Sequence, residues 1–441
     1  AASLQYGTQF GGLVNFVLDN ATKNQETQIN FRNTIGSNNL YTNFTSLKGS
    51  KNKFRFYSFI NFKQGNGFRK NSFFNSKNFF LRSTYDFNDK SKLSMDITYF
   101  TYLSQQAGGL NDAMFNNNPF QSNRARNWFN VDWFLYNLKF EHEFNDSKIL
   151  SLNLFGLNAV RNALGFRVNR VDQIDSNDVR DLINGDFNNF GIESKYLSNY
   201  NLFNNKSIFV IGSKVYISRN YSRQGPGSEY SDADFNFYDN EFPNYVNQSD
   251  YKYPNQNISI FGETIIKLSD KLSLTPGFRF EFINTKAEGS YERIVQDAAM
   301  NVISHDTIYE NRKNKRSFVL TGIGLTYNIN NNIESYANIS QNYRSVTFAD
   351  ISTVNPAYAI DTDITDENGY TLDLGFRGNL NNYVNYDFSL FYLSYNNRIG
   401  FVQKLFDDGN TKAFRTNTGD AEIFGIEKVI DINLKKLINL N

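Results

Sequence analysis

The stretch Tyr370-Thr371-Leu372-Asp373-Leu374-Gly375-Phe376-Arg377 alternates between large apolar side chains and polar or small ones. Successive strand residues point to opposite faces, so the run predicts a β-strand. Tyr370, Leu372, Leu374 and Phe376 share one face, and Thr371, Asp373 and Arg377 the other. The same period recurs along the chain. Leu93, Met95, Ile97 and Tyr99 interleave with Ser94, Asp96 and Thr98; Tyr136, Leu138 and Phe140 interleave with Asn137, Lys139 and Glu141. Leu272, Leu274, Phe278, Phe280 and Phe282 stand opposite Ser273, Thr275, Arg279 and Glu281. Each segment has about ten residues, the length a tilted strand needs to cross a bilayer. A soluble antiparallel sheet with one wet face alternates in the same way. Alternation alone leaves both architectures open.

The connections separate them. Short polar turns at 49–52, 88–91, 145–147, 204–206, 269–271, 330–332 and 381–382 alternate with long connections at 65–76, 107–129, 161–189, 223–254, 287–316, 346–368 and 398–413. One rim of tight turns and one rim of long loops is the asymmetry of an outer-membrane barrel. Tyr85, Phe87, Phe144, Phe203, Tyr327, Tyr383 and Tyr386 lie beside the short turns, where an interfacial aromatic girdle belongs. Counting from Glu26 gives about sixteen strands, the last near 414–434, in one all-β domain: an antiparallel transmembrane β-barrel.

Composition agrees. Aromatics make up 16% of the 441 residues, with 43 Phe and 27 Tyr, yet the mean hydropathy is −0.52. That mixture suits a wall with one face on lipid and one on water. No run approaches the ~18 apolar residues of a transmembrane helix. With 45 basic and 44 acidic residues interspersed, nothing marks a nucleic-acid surface. The chain has no Cys, which excludes disulfides and thiolate chemistry, and only two His, His142 and His305.

Before the first strand, Ser3-Leu4-Gln5-Tyr6-Gly7-Thr8-Gln9-Phe10-Gly11-Gly12-Leu13-Val14-Asn15-Phe16-Val17 resembles the end of the plug domain in TonB-dependent outer-membrane receptors. Further on, Ser340-Gln341-Asn342-Tyr343-Arg344 leading to Phe348, Asp366–Phe376 with its Leu-Gly-Phe, and Asn417-Thr418-Gly419 followed by Gly425-Ile426-Glu427 are similar to that family's ferric-citrate branch. The resemblance implies residues 1–22 as the plug's C-terminal end and 23–441 as a truncated barrel, about sixteen strands of an expected twenty-two. It implies the outer membrane of a Gram-negative bacterium, contact with outer-membrane lipid, an iron-chelate ligand such as ferric citrate or a siderophore, and energy from the TonB–ExbB–ExbD system through a missing N-terminal part. It implies no enzyme activity and no cofactor. A TonB-dependent importer of glycan or cobalamin, a passive porin or adhesin barrel, and a soluble all-β glycan-binding protein are the alternatives.

No nucleophile elbow, zinc-binding helix or P-loop is present. His142, between Glu141 and Glu143, reads as a wall residue. Asp361, Asp363, Asp366 and Glu367 cluster without EF-hand spacing and read as a solvated loop. Gly225-Pro226-Gly227-Ser228 reads as a turn. For an anionic chelate the informative residues are arginines, whose planar forks suit carboxylates. Arg124, Arg126, Arg219, Arg223 and Arg344 fall at or beyond outer strand ends, with Tyr221, Tyr230 and Tyr238 near them, and are the expected ligand contacts.

Overall fold

The computed structural model describes residues 4–7, 10, 13–167, 171–297, 299, 301–347, 350, 358–380, 383–406 and 411–434. The expected turn at 381–382, Phe348 and the Gly11-Gly12 pair lie outside the described residues.

Alternating segments become β1 (Gln28–Gly36), β2 (Leu40–Lys51), β3 (Phe54–Gly65), β4 (Phe74–Asn88), β5 (Ser91–Gln105), β6 (Trp128–Asn145), β7 (Lys148–Gly165), β8 (Asp181–Leu202) and β9 (Asn205–Pro226). They continue as β10 (Ser249–Lys267), β11 (Leu272–Gln296), β12 (Val302–Asn330), β13 (Ile333–Arg344), β14 (Tyr358–Ile360), β15 (Glu367–Leu380), β16 (Val384–Leu405) and β17 (Thr411–Ile432). Every long strand pairs antiparallel with its neighbour in sequence, β13 passing directly to β15. The three-residue β14 adds in parallel to β17. The sequence count of sixteen therefore matches the antiparallel meander, and β14 makes a seventeenth strand. Among the described residues no ladder joins β1 to β17. Among the described residues no helix is long and apolar enough to cross a membrane.

Among the described residues the tight turns fall within a residue or two of the short polar stretches expected from the sequence. At the β8–β9 turn Phe203 and Asn204 both take positive φ, 52° and 59°, the conformation of a type I′ hairpin. Tyr85, Phe87, Phe144, Phe203, Tyr327 and Tyr383 are exposed along this rim.

Polarity is inverted relative to a soluble core. On β11 Phe278 and Phe280 are exposed while Arg279 and Glu281 are buried; on β13 Ile339 is exposed between buried Asn338 and Ser340. On β15 Tyr370, Leu374 and Phe376 are exposed, and Asp373 turns to the other face, its Oδ2 accepting from Asn338 at 3.4 Å. This is the polarity of a wall between lipid and water.

The expected bounds of the long loops need correction. Residues 287–316, expected as a loop, are mostly strand: β11 and β12 stay paired up to Gln296 and Val302. The connection at 398–413 likewise shrinks, because β16 reaches Leu405 and β17 starts at Thr411. A strand climbs roughly 2.5 Å along the barrel axis per residue when tilted ~40°. At 25 and 29 residues, β11 and β12 rise far past an apolar band ~25 Å tall. Beyond the band both faces are polar, so the period-two signal disappears while the ladder continues.

Candidate ligand-binding lumen and mouth

The segment before β1 runs along the inside of the sheet. A single 3₁₀ turn, Leu4–Tyr6, buries Leu4 against the wall. Leu4 N donates to Glu263 Oε1 at 2.5 Å, and Arg279 Nη1 donates to Leu4 O and Gln5 O, both at 3.2 Å. Arg279 also donates to Ser259 Oγ at 2.7 Å and pairs with Glu281. Lys195 Nζ lies 4.9 Å from the Tyr6 ring. Farther along, Phe10 packs edge-on against Tyr395, with ring centroids 3.8 Å apart. Leu18 O then accepts from Arg82 at 3.2 Å, Asp19 pairs with Lys48 at 2.9 Å, and Ala21 O accepts from Arg55 at 3.3 Å. One short segment thus touches β8, β10–β12, β16 and β2–β4. Only a sheet curved around it allows that, so the buried polar face is a lumen.

Beside this segment lies a cavity of about 410 Å³, where Lys214, Arg279 and Arg344 face one carboxylate, Glu281, among Tyr6, Tyr216, Phe318 and Tyr343. Alternation delivers these groups: Lys214 and Tyr216 are even positions of β9, and Arg279 and Glu281 odd positions of β11. Lys214 Nζ stands 5.2 Å from the Phe155 ring. Lys214, Arg279 and Tyr343 line this cavity and are not among the ligand contacts expected from the sequence. The inward register of β9 and β11 was the signal that finds the first two.

The five arginines expected to contact ligand separate into three groups. Arg124 and Arg126 are buried within the loops. Arg124 Nη1 donates to Asn123 O at 2.7 Å and Gln173 O at 2.9 Å, with its guanidinium 5.1 Å from the Phe166 ring. Arg126 pairs with Asp175 and donates to Glu229 O at 2.7 Å. Arg180, fully buried, donates to Ser228 O and Asp232 O. These bonds join the β5–β6, β7–β8 and β9–β10 connections into one cap. Burial pushes the Asp175 carboxyl up, but Arg126 and the Asn177 N–H outweigh it and hold the group below its usual range. Burial pushes the Asp181 carboxyl up, against hydrogen bonds from Gln224 and Tyr245.

Arg219 and Arg223 are odd positions of β9, the face opposite Lys214 and Tyr216. Arg219 is exposed; Arg223 pairs with Asp239 at 2.5 Å and lies 4.0 Å from the Phe237 ring. Arg344 alone of the five lines the lumen cavity. It pairs with Glu367 at 3.1 Å and Asp350 at 3.2 Å, and Arg415 joins it on Asp350. The acidic cluster is likewise occupied by protein: Asp366 takes Arg316 at 2.7 Å, and Asp361 accepts from Thr416 Oγ1 at 2.5 Å. His142 Nδ1 sits 2.8 Å from Ser91 Oγ, with its ring against Phe144, as a wall residue would. Among the described residues no group of three His, Cys, Asp or Glu is placed to hold a metal.

The family model for the TonB dependent receptor-like β-barrel matches residues 12–435. The chain belongs to that family, whose members are receptors and transporters and not enzymes. A search of curated proteins finds no match. Among solved structures it is similar to the ferric citrate transporter FecA in its unliganded form, at 16% identity and a TM-score of 0.69, covering 91% of this chain and 55% of that one. It is also similar to the ferric yersiniabactin uptake receptor FyuA from Yersinia pestis, at 10% identity and a TM-score of 0.71, covering 92% and 58%. The copper transporter OprC gives 13% identity and a TM-score of 0.71, covering 93% and 59%. At these identities the likeness establishes the fold, and the chain spans somewhat more than half of each structure.

Proposed function

We propose that this chain is the barrel portion of an outer-membrane importer for an anionic metal chelate of the ferric citrate or siderophore type. Residues 1–22 are read as the end of its plug. The setting is a Gram-negative outer membrane, and the TonB–ExbB–ExbD system, engaging parts of the receptor beyond this chain, supplies the energy. The observation that supports this reading is the lumen cavity, with three cationic side chains to one carboxylate among four aromatic rings. Inside a poorly hydrated cavity such charges act strongly on a bound anion, and arginine forks suit carboxylates. The barrel performs no bond chemistry; it binds, orients and releases.

The test titrates the intact receptor with ferric citrate, a neutral ferric chelate and a copper salt. Ferric citrate is expected to bind tightest, and Lys214→Gln to weaken it at least fivefold while leaving the neutral chelate unaffected. Equal binding of the neutral chelate, or selective binding of copper, would overturn the cargo class.

A further inference from the structure

The outward face of β9–β12 changes character along one cross-strand row. Climbing β12 from the tight-turn rim, its exposed positions read Tyr327, Leu325, Ile323, Thr321, Val319 and Ser317, then Lys315 and Lys313. On β11 the same face reads Phe278, Phe280 and Phe282, then Asn284 and Lys286. On β9 Val215 and Ile217 give way to Arg219. Register aligns these breaks: Lys286 stands directly opposite Lys313, Asn284 opposite Lys315, and Pro254 of β10 opposite Arg219. From Tyr327 in the aromatic rim to Lys315 is a climb of about 30 Å at ~2.5 Å per residue, slightly more than the ~25 Å apolar band of a barrel. The cationic row therefore begins where hydrocarbon ends.

Its charges are poorly compensated. Lys286 has Glu288 at 3.4 Å. Asp186 lies one row farther out, opposite Tyr221, and Asp250 two rows out, opposite Arg223. Among the described residues Lys313, Lys315 and Arg219 make no ion pair. Two lysines placed directly across a ladder repel, and among the described residues only Glu288 pairs with either of them. An anion at this height would offset the rest.

We infer that the row Lys286, Lys313 and Lys315, flanked by Arg219, binds the phosphate groups of an anionic outer-leaflet lipid whose acyl chains lie along the Phe278–Phe282 and Val319–Ile323 face. This inference rests on the outer-membrane reading above. Lysine ammoniums on long stems reach up from an apolar wall to the headgroup level, and each basic side chain near an anionic lipid surface contributes about fivefold in binding.

The experiment incubates the intact, full-length receptor in detergent with a bisphosphorylated acylated glucosamine disaccharide or with its dephosphorylated form, and counts retained lipid by native mass spectrometry. The parent is expected to retain the phosphorylated lipid at least tenfold better. Lys286→Gln/Lys313→Gln/Lys315→Gln should abolish that preference, and the same three positions changed to Arg should restore it. Lys90→Gln/Lys271→Gln, at the opposite rim, should leave it intact. Equal retention by the parent and the triple Gln variant overturns the inference, as does equal loss from the opposite-rim variant. If the triple Gln variant does not fold, a parent with no preference for phosphate, or an Arg variant that has lost it, overturns it instead. Failure of the parent to enter membranes would sink the outer-membrane reading; an inserted, ligand-importing parent without phosphate preference sinks this inference alone.

Discussion

Arg126 grips Asp175 with both sides of its guanidinium, Nε to Oδ2 at 3.0 Å and Nη2 to Oδ1 at 2.5 Å, across two different outer loops. The remaining donors reach Asp178 O and Glu229 O, so one buried side chain ties three connections. Breaking a buried pair from one side costs about 3–5 kcal/mol because the other charge is stranded. Arg126→Ala is expected to lower hydrogen-exchange protection in residues 171–179 and 227–232 while leaving the strands protected. Arg126→Lys should fall between, keeping the charge but losing the fork. Unchanged protection in the Ala variant would show that the cap is held elsewhere.

Acidification should act on this cap in two opposite steps. Asp181 has its folded pKa raised by burial, so the folded cap binds its proton more readily than the unfolded loop does. Its contribution to stability is therefore greatest below the unfolded value and is lost as pH rises through the folded one. Asp175 has its folded pKa depressed, so its contribution is present above the unfolded value and is lost as pH falls through the folded one. Lowering pH from neutrality should first tighten the cap and then, below the usual carboxylate range, loosen it. Limited proteolysis of the loops across pH measures this. Asp181→Asn should remove the tightening limb, and a monotonic loosening in the parent would refute the assignment.

The wall was legible in the sequence because lipid imposes period two: Phe278, Phe280 and Phe282 could only be placed together on one face. The tight turns were legible because Asn supplies positive φ, as at Asn52 and Asn204. Strand ends were not, since Glu288 to Val295 and Val302 to Arg312 pair in water with polar groups on both faces. Loop arginines looked alike as letters. Whether Arg124 is sealed by Gln173 O, or Arg219 points outward, depends on loop packing and on face parity. Arg344 lines the lumen cavity, in a position that the cross-strand register against Glu367 fixes.

Leu374 is 45% exposed on the face it shares with Tyr370 and Phe376, while Asp373 turns toward Asn338. In the full-length receptor Leu374→Arg is expected to cost about 2–4 kcal/mol near the bilayer midplane. Leu374→Phe should be nearly neutral. Refolding titrations into lipid vesicles measure both. An Arg variant as stable as the parent would mean that this face does not meet lipid.

Two edges set a further expectation. Among the described residues β1 and β17 each pair on one side only over most of their length, and unpaired backbone groups in hydrocarbon cost several kcal/mol each. Residues 1–441 expressed alone should aggregate on transfer to lipid and show no heat-modifiable monomer band. A folded band from this stretch would mean that β1 and β17 close on each other.

Arg344 is the residue on which the anionic-cargo reading can be sharpened. Its guanidinium bridges Glu367 and Asp350, but neither carboxylate depends on it alone. Glu367 also accepts from Tyr395 Oη and Ile399 N, both at 2.6 Å. Asp350 also holds Arg415 and accepts from Thr347 N at 2.6 Å. Removing Arg344 therefore leaves both acids partnered, and the fold should survive Arg344→Ala. The side chain is 34% exposed and lines the lumen cavity, so its outer donors remain available to a ligand. A hydrogen bond to a charged group is worth about 1.5–3 kcal/mol. Arg344→Ala in the intact receptor is thus expected to weaken ferric citrate binding by that amount, with an unchanged thermal transition and unchanged binding of a neutral chelate. Arg344→Lys should recover part of the loss, because the charge returns without the fork. If Arg344→Ala binds ferric citrate as tightly as the parent while Lys214→Gln weakens it, the anion sits deeper in the lumen and Arg344 serves only to tie β13 to β15.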